Sequence, residues 1–394
     1  RSFAEESIPA SAKDSLRASL ADRLDGRVVS YRDLRERLDV KCWTFESKRT
    51  FTFTRPTFSN HTPVEISRLI GEHVVHQPFV LEVPDVTLIG EQGIKQTQDG
   101  QFVVYDFDRS VTEQAQLELA YDIVDAVSMG TWPFRKKSHG VEQIECAVPL
   151  INRWARNYSH WTEECLAQIQ AIRHYEGKTG KRPTLLIPPD SPAFIKASLE
   201  YFGFDKTDYR ELPATRVNVQ RMVLPSIRRF WSSTSSDYVR DPYGIDWVRE
   251  EVFNKLSSLN DTPSKLLISR EQDADVRRIT NWAEIESTLR AEGFETVTLT
   301  ELDYIEQKRL FYGADTIVGT HGAGMTELIY AEDAAIVELF GSYVVPPYYE
   351  MSQAVGHRYG FIQCEPRGDD LYVDPDTVKQ AISAVEDADS TKVR

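Results

Sequence analysis

Short apolar, β-branched runs alternate twice along this chain with segments whose apolar residues recur every three or four positions, and no other feature restricts the fold as much. In the first series, residues 157–175 read as a helix, 183–188 as a strand, 192–202 as a helix closed by Gly203, and 221–224 as a strand. The second series opens with a strand at 265–269 and runs on through a helix at 282–292, a strand at 296–299 and a helix at 304–312. It continues with a strand at 316–319, a helix starting at 325 and a strand at 335–340. Strands that are apolar throughout, rather than at every second residue, are buried on both faces, as in sheets whose parallel strands are joined by helices. The pattern predicts an α/β protein of two doubly wound halves, each with its ligand edge at the carboxyl ends of the strands.

Ahead of these series, residues 42–108 are rich in β-branched and aromatic residues punctuated by Pro, Asn and Gly, which predicts a β-rich segment followed by a helix at 113–129. Residues 1–40 read as a helical lead-in, the Ser/Asp-rich stretch 232–237 as a linker, and 376–385 as a last helix. The expected divisions are therefore 1–40, 41–235, 236–372 and 373–394, with no repeat at a solenoid period.

Charge narrows the partners. With 61 acidic residues against 46 basic ones and a net charge of −15, a general binder of nucleic-acid backbones is excluded, so any anionic ligand needs a local site. Arg outnumbers Lys by 31 to 15, and such an acid-rich, Lys-poor surface suits high salt, where screening makes self-repulsion tolerable. No run approaches the roughly 18 uninterrupted apolar residues of a membrane helix. Cys42, Cys146, Cys165 and Cys364 are far apart and form no Cys-x-x-Cys pair, which points to structural thiols in a reducing, cytoplasmic compartment. Peripheral attachment at the inner face of a membrane stays open, because the chain starts at Arg1 and a signal or anchor could precede it.

The densest chemical signal lies at residues 314–330, where an apolar strand runs into Gly319-Thr320-His321-Gly322-Ala323-Gly324 and then into a helix. Such a turn sets backbone N–H groups and a helix dipole at a strand's carboxyl edge, which suits a phosphate. The glycine spacing reverses the dinucleotide fingerprint, and no Gly-x-Ser-x-Gly elbow accompanies it, so nicotinamide and serine-hydrolase chemistry are set aside. Ser269 and Arg270 close the strand at 265–269, and a guanidinium there could neutralise a leaving diphosphate; Arg277 and Arg278 follow. Glu338 could accept from a ribose diol. His160 and Glu164 share a helix face at four-residue spacing, as a base and its orienting partner would. Asp106 and Asp108 could bind a divalent metal, but comparable Asp pairs recur by chance in an acidic chain, and no metal site is read from them.

With these pieces placed, the chain resembles glycosyltransferase family 61, which includes the extracellular O-GlcNAc transferase, plant xylosyl- and arabinosyltransferases and microbial capsule-type enzymes. The likeness is carried by Glu306-Gln307, by Val318 through Ile329 with its His321-Gly322-Ala323-Gly324 turn, and by Val337-Glu338-Leu339-Phe340. It is carried further by Ile268-Ser269-Arg270, by Arg278 through Asn281, and by Asn157 through His160 with Glu164 four residues on. It spans about residues 80–365 and departs at Glu327, where the family often has Asn.

The resemblance implies a GT-B architecture, two Rossmann-like halves facing a cleft, with the acceptor held by 41–235 and a nucleotide-diphosphate sugar by 236–372. It implies an inverting, metal-independent reaction that needs no cofactor. Glu164 would be the base with His160 beside it. Ser269, Arg270, Arg278, His321, Gly322, Ala323, Gly324, Thr326 and Glu338 would bind the donor. The acceptor would be a glycan or glycoprotein in microbial surface-glycan assembly. The alternatives are a catalytically silent nucleotide- or glycan-binding module, and a metal-dependent transferase using Asp106 and Asp108.

Overall fold

A computed structural model describes residues 20, 24, 26–105, 119–126, 141–212, 216–232, 237–256, 262–272 and 274–388. The start of the lead-in, most of the helix expected at 113–129, and Asp106 and Asp108 lie outside the described residues. The chain divides into two compact units, neither continuous in sequence. Arg1–Ser47, Gln77–Arg156 and Gln168–Ile227 make the first; Lys48–His76, Asn157–Ala167 and Arg228–Arg394 make the second. Segments 48–76 and 157–167, which the sequence reading put with 41–235, are thus grouped with the second unit.

The first unit is built on one nine-stranded mixed sheet. Tyr209–Glu211, Thr184–Ile187, Glu142–Pro149 and Arg216–Pro225 lie side by side in that order, all parallel. Phe79–Ile89 then pairs antiparallel along the whole of Arg216–Pro225, and the sheet continues through Ile94–Gln96 and Phe102–Val104 to Val28–Ser30. The first half is therefore not purely parallel: Lys41–Thr44, Phe79–Ile89, Ile94–Gln96 and Phe102–Val104 of the β-rich segment form the antiparallel part of the same sheet, whereas Arg49–Phe53 pairs with Gly71–Val75 in a sheet of its own. An eleven-residue apolar strand can match a long neighbour without a helical crossover, since antiparallel pairing requires none. Leu81, Val83, Leu88, Val217, Val219 and Leu224 pack on one core across this seam.

The second unit holds a six-stranded, all-parallel sheet in the order Glu295–Val297, Lys265–Ile268, Thr316–Thr320, Ala335–Phe340, Arg358–Gln363, Phe58–Ser59. Counted from Lys265–Ile268, the first five strands stand 2-1-3-4-5, a doubly wound order whose switch point falls between Lys265–Ile268 and Thr316–Thr320. Leu267, Val318, Val337 and Ile362 face one way and are covered by Trp282–Ala291 and Pro375–Glu386. On the other face, Tyr349 of helix Pro347–Val355 meets Tyr359 with ring centroids 5.6 Å apart. Every residue of Thr316–Thr320 and Ala335–Phe340 is buried, which accounts for their largely apolar pattern. No described helix is long and apolar enough to cross a membrane.

Gly360 lies where Arg358–Gln363 passes under Pro375–Glu386: a β-carbon there would stand 2.8 Å from Val385 Cγ1 and 3.0 Å from Phe58 Cβ. Gly360→Ala should therefore lower the unfolding free energy by about 1–3 kcal/mol, the usual effect of overpacking. Gly341→Ala, whose nearest neighbours would be at 3.6 Å, should change it little. Urea denaturation of the two variants checks this, and an unaltered Gly360→Ala midpoint would contradict it.

Candidate functional site

Both strands flanking the switch point end in residues that the sequence singled out. Lys265–Ile268 leads into Ser269 and Arg270, and Thr316–Thr320 into His321 and Gly322. A β-carbon on Gly322 would lie 1.9 Å from Arg270 Nη1 and 2.7 Å from its Cζ, so the guanidinium occupies the space that glycine leaves. The Gly322 backbone is extended, at φ 173°, so glycine is needed here for close approach and not for an unusual turn.

The other two glycines of the motif serve packing. A β-carbon at Gly319 would meet Met325 Sδ at 2.6 Å and Ile268 Cβ at 3.2 Å, and one at Gly324 would meet Leu299 Cδ1 at 2.8 Å. The missing side chain at Gly324 lets the following helix seat against Leu299. That helix, Ala323–Tyr330, is a 3₁₀ helix rather than an α-helix, with Met325 N–H donating to Gly322 O at 2.8 Å.

Behind the turn, His321 Nδ1 donates to Glu338 Oε1 at 2.6 Å and Tyr359 OH donates to Glu338 Oε2 at 2.5 Å. A carboxylate acceptor on Nδ1 places the ring proton there and leaves Nε2 on the far side of the imidazole. The ring stacks on Phe340 at 5.4 Å and lies against Tyr348 at 5.0 Å. Both Glu338 oxygens are thus engaged, and Glu338 orients His321. Thr326 is wholly buried. Arg278 is held by Asp370, at 2.9 Å to its N–H and 3.4 Å to Nη2. Of the expected donor residues, Arg270, His321 and Gly322 are the ones this edge brings together.

The second cluster starts at Asn157, whose side chain caps Tyr158–His160 by accepting from Ser159 and His160 N–H. Trp161–Cys165 then forms a π-helical turn, a widened form often found at functional sites. His160 Nδ1 donates to Glu164 Oε1 at 2.8 Å and stands 3.7 Å from Glu163 Oε1. The stretch expected as a linker belongs instead to an antiparallel hairpin, Arg229–Ser232 with Asp237–Arg240, whose tip lies outside the described residues. Arg229 and Arg240 stand opposite each other across it.

Each arginine takes one of the neighbouring glutamates. Arg229 Nη1 reaches Glu164 Oε1 at 3.1 Å. Arg240 binds Glu163 through Nε and through Nη2 at 3.2 Å, and holds Glu350 at 2.6 Å through Nη1 and 2.9 Å through its N–H. Sequence reasoning missed both arginines. The available signal was two aromatic and β-branched pairs, Phe230-Trp231 and Tyr238-Val239, around a polar tip, which is a hairpin pattern.

These contacts set the charge states. Burial works to raise the Glu164 carboxyl, but the His160 hydrogen bond and then the Arg229 charge hold it below the usual range. Glu350 is pushed up by burial, which Arg240 only partly counters. Arg240 loses hydration on burial, yet Glu163 and Glu350 more than offset this and raise it. Tyr348 touches both clusters: burial and the Glu338 charge push its hydroxyl up, the Thr326 and Ser159 hydroxyls pull it back, and Glu163 adds to the rise.

His160, Glu163 and Glu164 could offer ligand atoms to a metal, all within 4.8 Å of one another. The two arginines already compensate the carboxylates, which makes the donor set a poor fit to a dication.

Residues 158–337 match the protein-family model described as Glycosyltransferase 61. The match takes in His160, Glu163, Glu164, Arg229, Arg240, Arg270 and the His321-Gly322 turn, and ends one residue before Glu338. No curated protein matches the chain.

Removing the Arg240 side chain would leave Glu163 and Glu350 buried without their cation. Arg240→Met should cost about 3–5 kcal/mol of stability near neutral pH, the usual penalty for breaking a buried pair. The loss should shrink as the pH falls, because a protonated carboxyl is neutral and needs no partner, and Glu350 already takes up its proton more readily than an ordinary glutamate. Chemical denaturation of variant and parent between acid and neutral pH checks both the size and the sign.

Proposed function

Proceeding from membership of glycosyltransferase family 61, which the match over residues 158–337 supports, we propose that the protein transfers a sugar, with inversion, from a nucleotide-diphosphate sugar to a hydroxyl of a glycan or glycoprotein. One observation carries the reading: the second unit combines a cationic group packed on a glycine at its switch point, Arg270 on Gly322 with His321 alongside, and an imidazole–carboxylate dyad, His160 with Glu164.

The chemistry needs both. The acceptor oxygen attacks the anomeric carbon and gives up its proton. The bond from that carbon to the phosphate oxygen breaks, and its electron pair leaves with the diphosphate. Arg270, through the fork that guanidinium and phosphate share, would stabilise the departing charge.

For the proton, we assign His160 as the base and Glu164 as its orienting partner, reversing the sequence-based roles. The Glu164 side chain is 4% exposed against 24% for His160, so the imidazole is the group an acceptor can reach. A carboxylate held low by the His160 hydrogen bond and the Arg229 charge is also a weak base. The dyad then works as a carboxylate–imidazole pair does elsewhere: Nδ1 donates to Glu164 and Nε2 accepts. With arginine supplying the positive charge, the reaction is proposed to proceed without a metal. Its setting is proposed to be surface-polysaccharide or glycoprotein-glycan assembly, in the cytoplasm or at the inner face of a membrane.

The direct experiment is transfer from a panel of nucleotide-diphosphate sugars to glycan acceptors in excess chelator, with the anomeric configuration of the product read by NMR. Binding of nucleotide without transfer to any acceptor would favour a silent binding module. Arg270→Ala should weaken a free nucleoside diphosphate by about 1.5–3 kcal/mol, the worth of a charged hydrogen bond, and unchanged affinity in calorimetry would remove Arg270 from the donor site. His160→Gln should lower turnover about 100-fold or more with donor affinity kept. Glu164→Gln should lower it less, and a larger loss in Glu164→Gln than in His160→Gln would return the base to Glu164.

A further inference from the structure

Lys308 and Glu327 form an ion pair that neither cluster's chemistry uses. Neither side chain has any exposure, and Lys308 Nζ donates to both Glu327 oxygens, at 2.7 and 2.9 Å. Tyr158 OH is hydrogen-bonded to Glu327 Oε1 and to Lys308 Nζ. Three rings close the cage, with Nζ 3.8 Å from the Tyr304 centroid, 4.7 Å from Tyr330 and 5.1 Å from Tyr158.

A pair this deep is a poor means of stabilising a fold, since apolar residues of the same volume would serve as well or better. What it does supply is a fixed geometry between the elements that carry its members. Glu327 belongs to the 3₁₀ helix that leaves the His321-Gly322 turn, Lys308 to helix Tyr304–Tyr312, and Tyr158 stands two residues before His160 on the turn that carries the dyad. Removing hydration from Lys308 lowers its affinity for a proton, which Glu327 opposes, so the charged state depends on both partners being in place.

We propose that Lys308, Glu327 and Tyr158 are positioning residues that lock the His160 turn to the glycine-turn helix, setting the base at a fixed distance from the departing diphosphate. The proposal rests on the transferase reading of this site. A displacement of about 1 Å at a reacting group costs up to about 100-fold in rate, so a strut here acts on turnover and not on donor affinity.

Two variants of the full chain test it. Tyr158→Phe removes one hydroxyl and keeps the ring, and the double variant Lys308→Met, Glu327→Leu removes both charges, so that neither is left unpaired. For each, the number of competent sites is counted by nucleoside-diphosphate titration, and kcat per site is measured beside the donor dissociation constant. The expected result is kcat per site lowered about tenfold or more in both, with donor affinity within twofold of the parent. Folded variants with parental kcat per site would overturn the proposal and leave the pair a packing device. A parallel loss of donor affinity would overturn it too, because the strut would then be shaping the donor site. His160→Gln, run alongside, separates the two readings: full turnover in that variant defeats the assignment of the base itself, whereas loss there with parental turnover in the strut variants defeats only the coupling.

Discussion

Everything at the switch-point side of the second unit depends on keeping negative charge out of water without leaving it alone. Glu163, Glu164, Glu327, Glu338 and Glu350 are all buried there, and an isolated carboxylate in such a place would cost several kcal/mol or give up its charge. Each is met by a partner: Arg240 spans Glu163 and Glu350, Arg229 and His160 share Glu164, Lys308 takes Glu327, and His321 with Tyr359 takes Glu338. Because every pairing is directional, satisfying the charges also fixes the side chains. The imidazoles of His160 and His321 are each held by Nδ1, which fixes the far nitrogen of both rings by the same device.

The parallel half was legible because periodicity reports burial on two faces, and nothing competes with that signal in a strand such as Ala335–Phe340, found within the bounds the sequence set. The first unit was legible as α/β, but its pairing was not. A strand pattern tells how many faces are buried and says nothing about direction, and Phe79–Ile89 pairs antiparallel with Arg216–Pro225, from which it lies far along the chain. The hairpin carrying Arg229 and Arg240 was lost for a local reason: its Ser- and Asp-rich tip reads as a linker unless the flanking strand residues are weighed first.

Site residues divide by whether their role is local. His160 and Glu164 are four apart on one turn, so spacing alone put them together, and the widened turn Trp161–Cys165 kept them at 2.8 Å. In the reading proposed here, which of the two faces an acceptor is a matter of exposure, and Glu164 is covered in part by Arg229 from a distant segment. Sequence gave no access to it. The same holds for Glu338: the strand that carries it was recognised, but a glutamate in an otherwise apolar strand reads as a ligand contact when its His321 and Tyr359 partners are out of view.

The glycine turn carries this distinction to single residues. Read as a string, Gly319, Gly322 and Gly324 make one phosphate-binding motif, and absence of a side chain would have the same meaning at each. In the fold each answers to different neighbours. Gly319 gives room to Met325 and Ile268, Gly324 to Leu299, and Gly322 alone gives room to a charged group, Arg270. A glycine that yields to an aliphatic side chain is a packing requirement, and any ligand could be exchanged without altering it. A glycine that yields to a guanidinium instead holds a cation at the carboxyl end of a central strand, where the sheet's winding reverses and a ligand has access. The anion-binding character proposed for this turn therefore rests on Gly322 and Arg270 together, one from each strand of the switch point, and a motif read from either strand alone is incomplete.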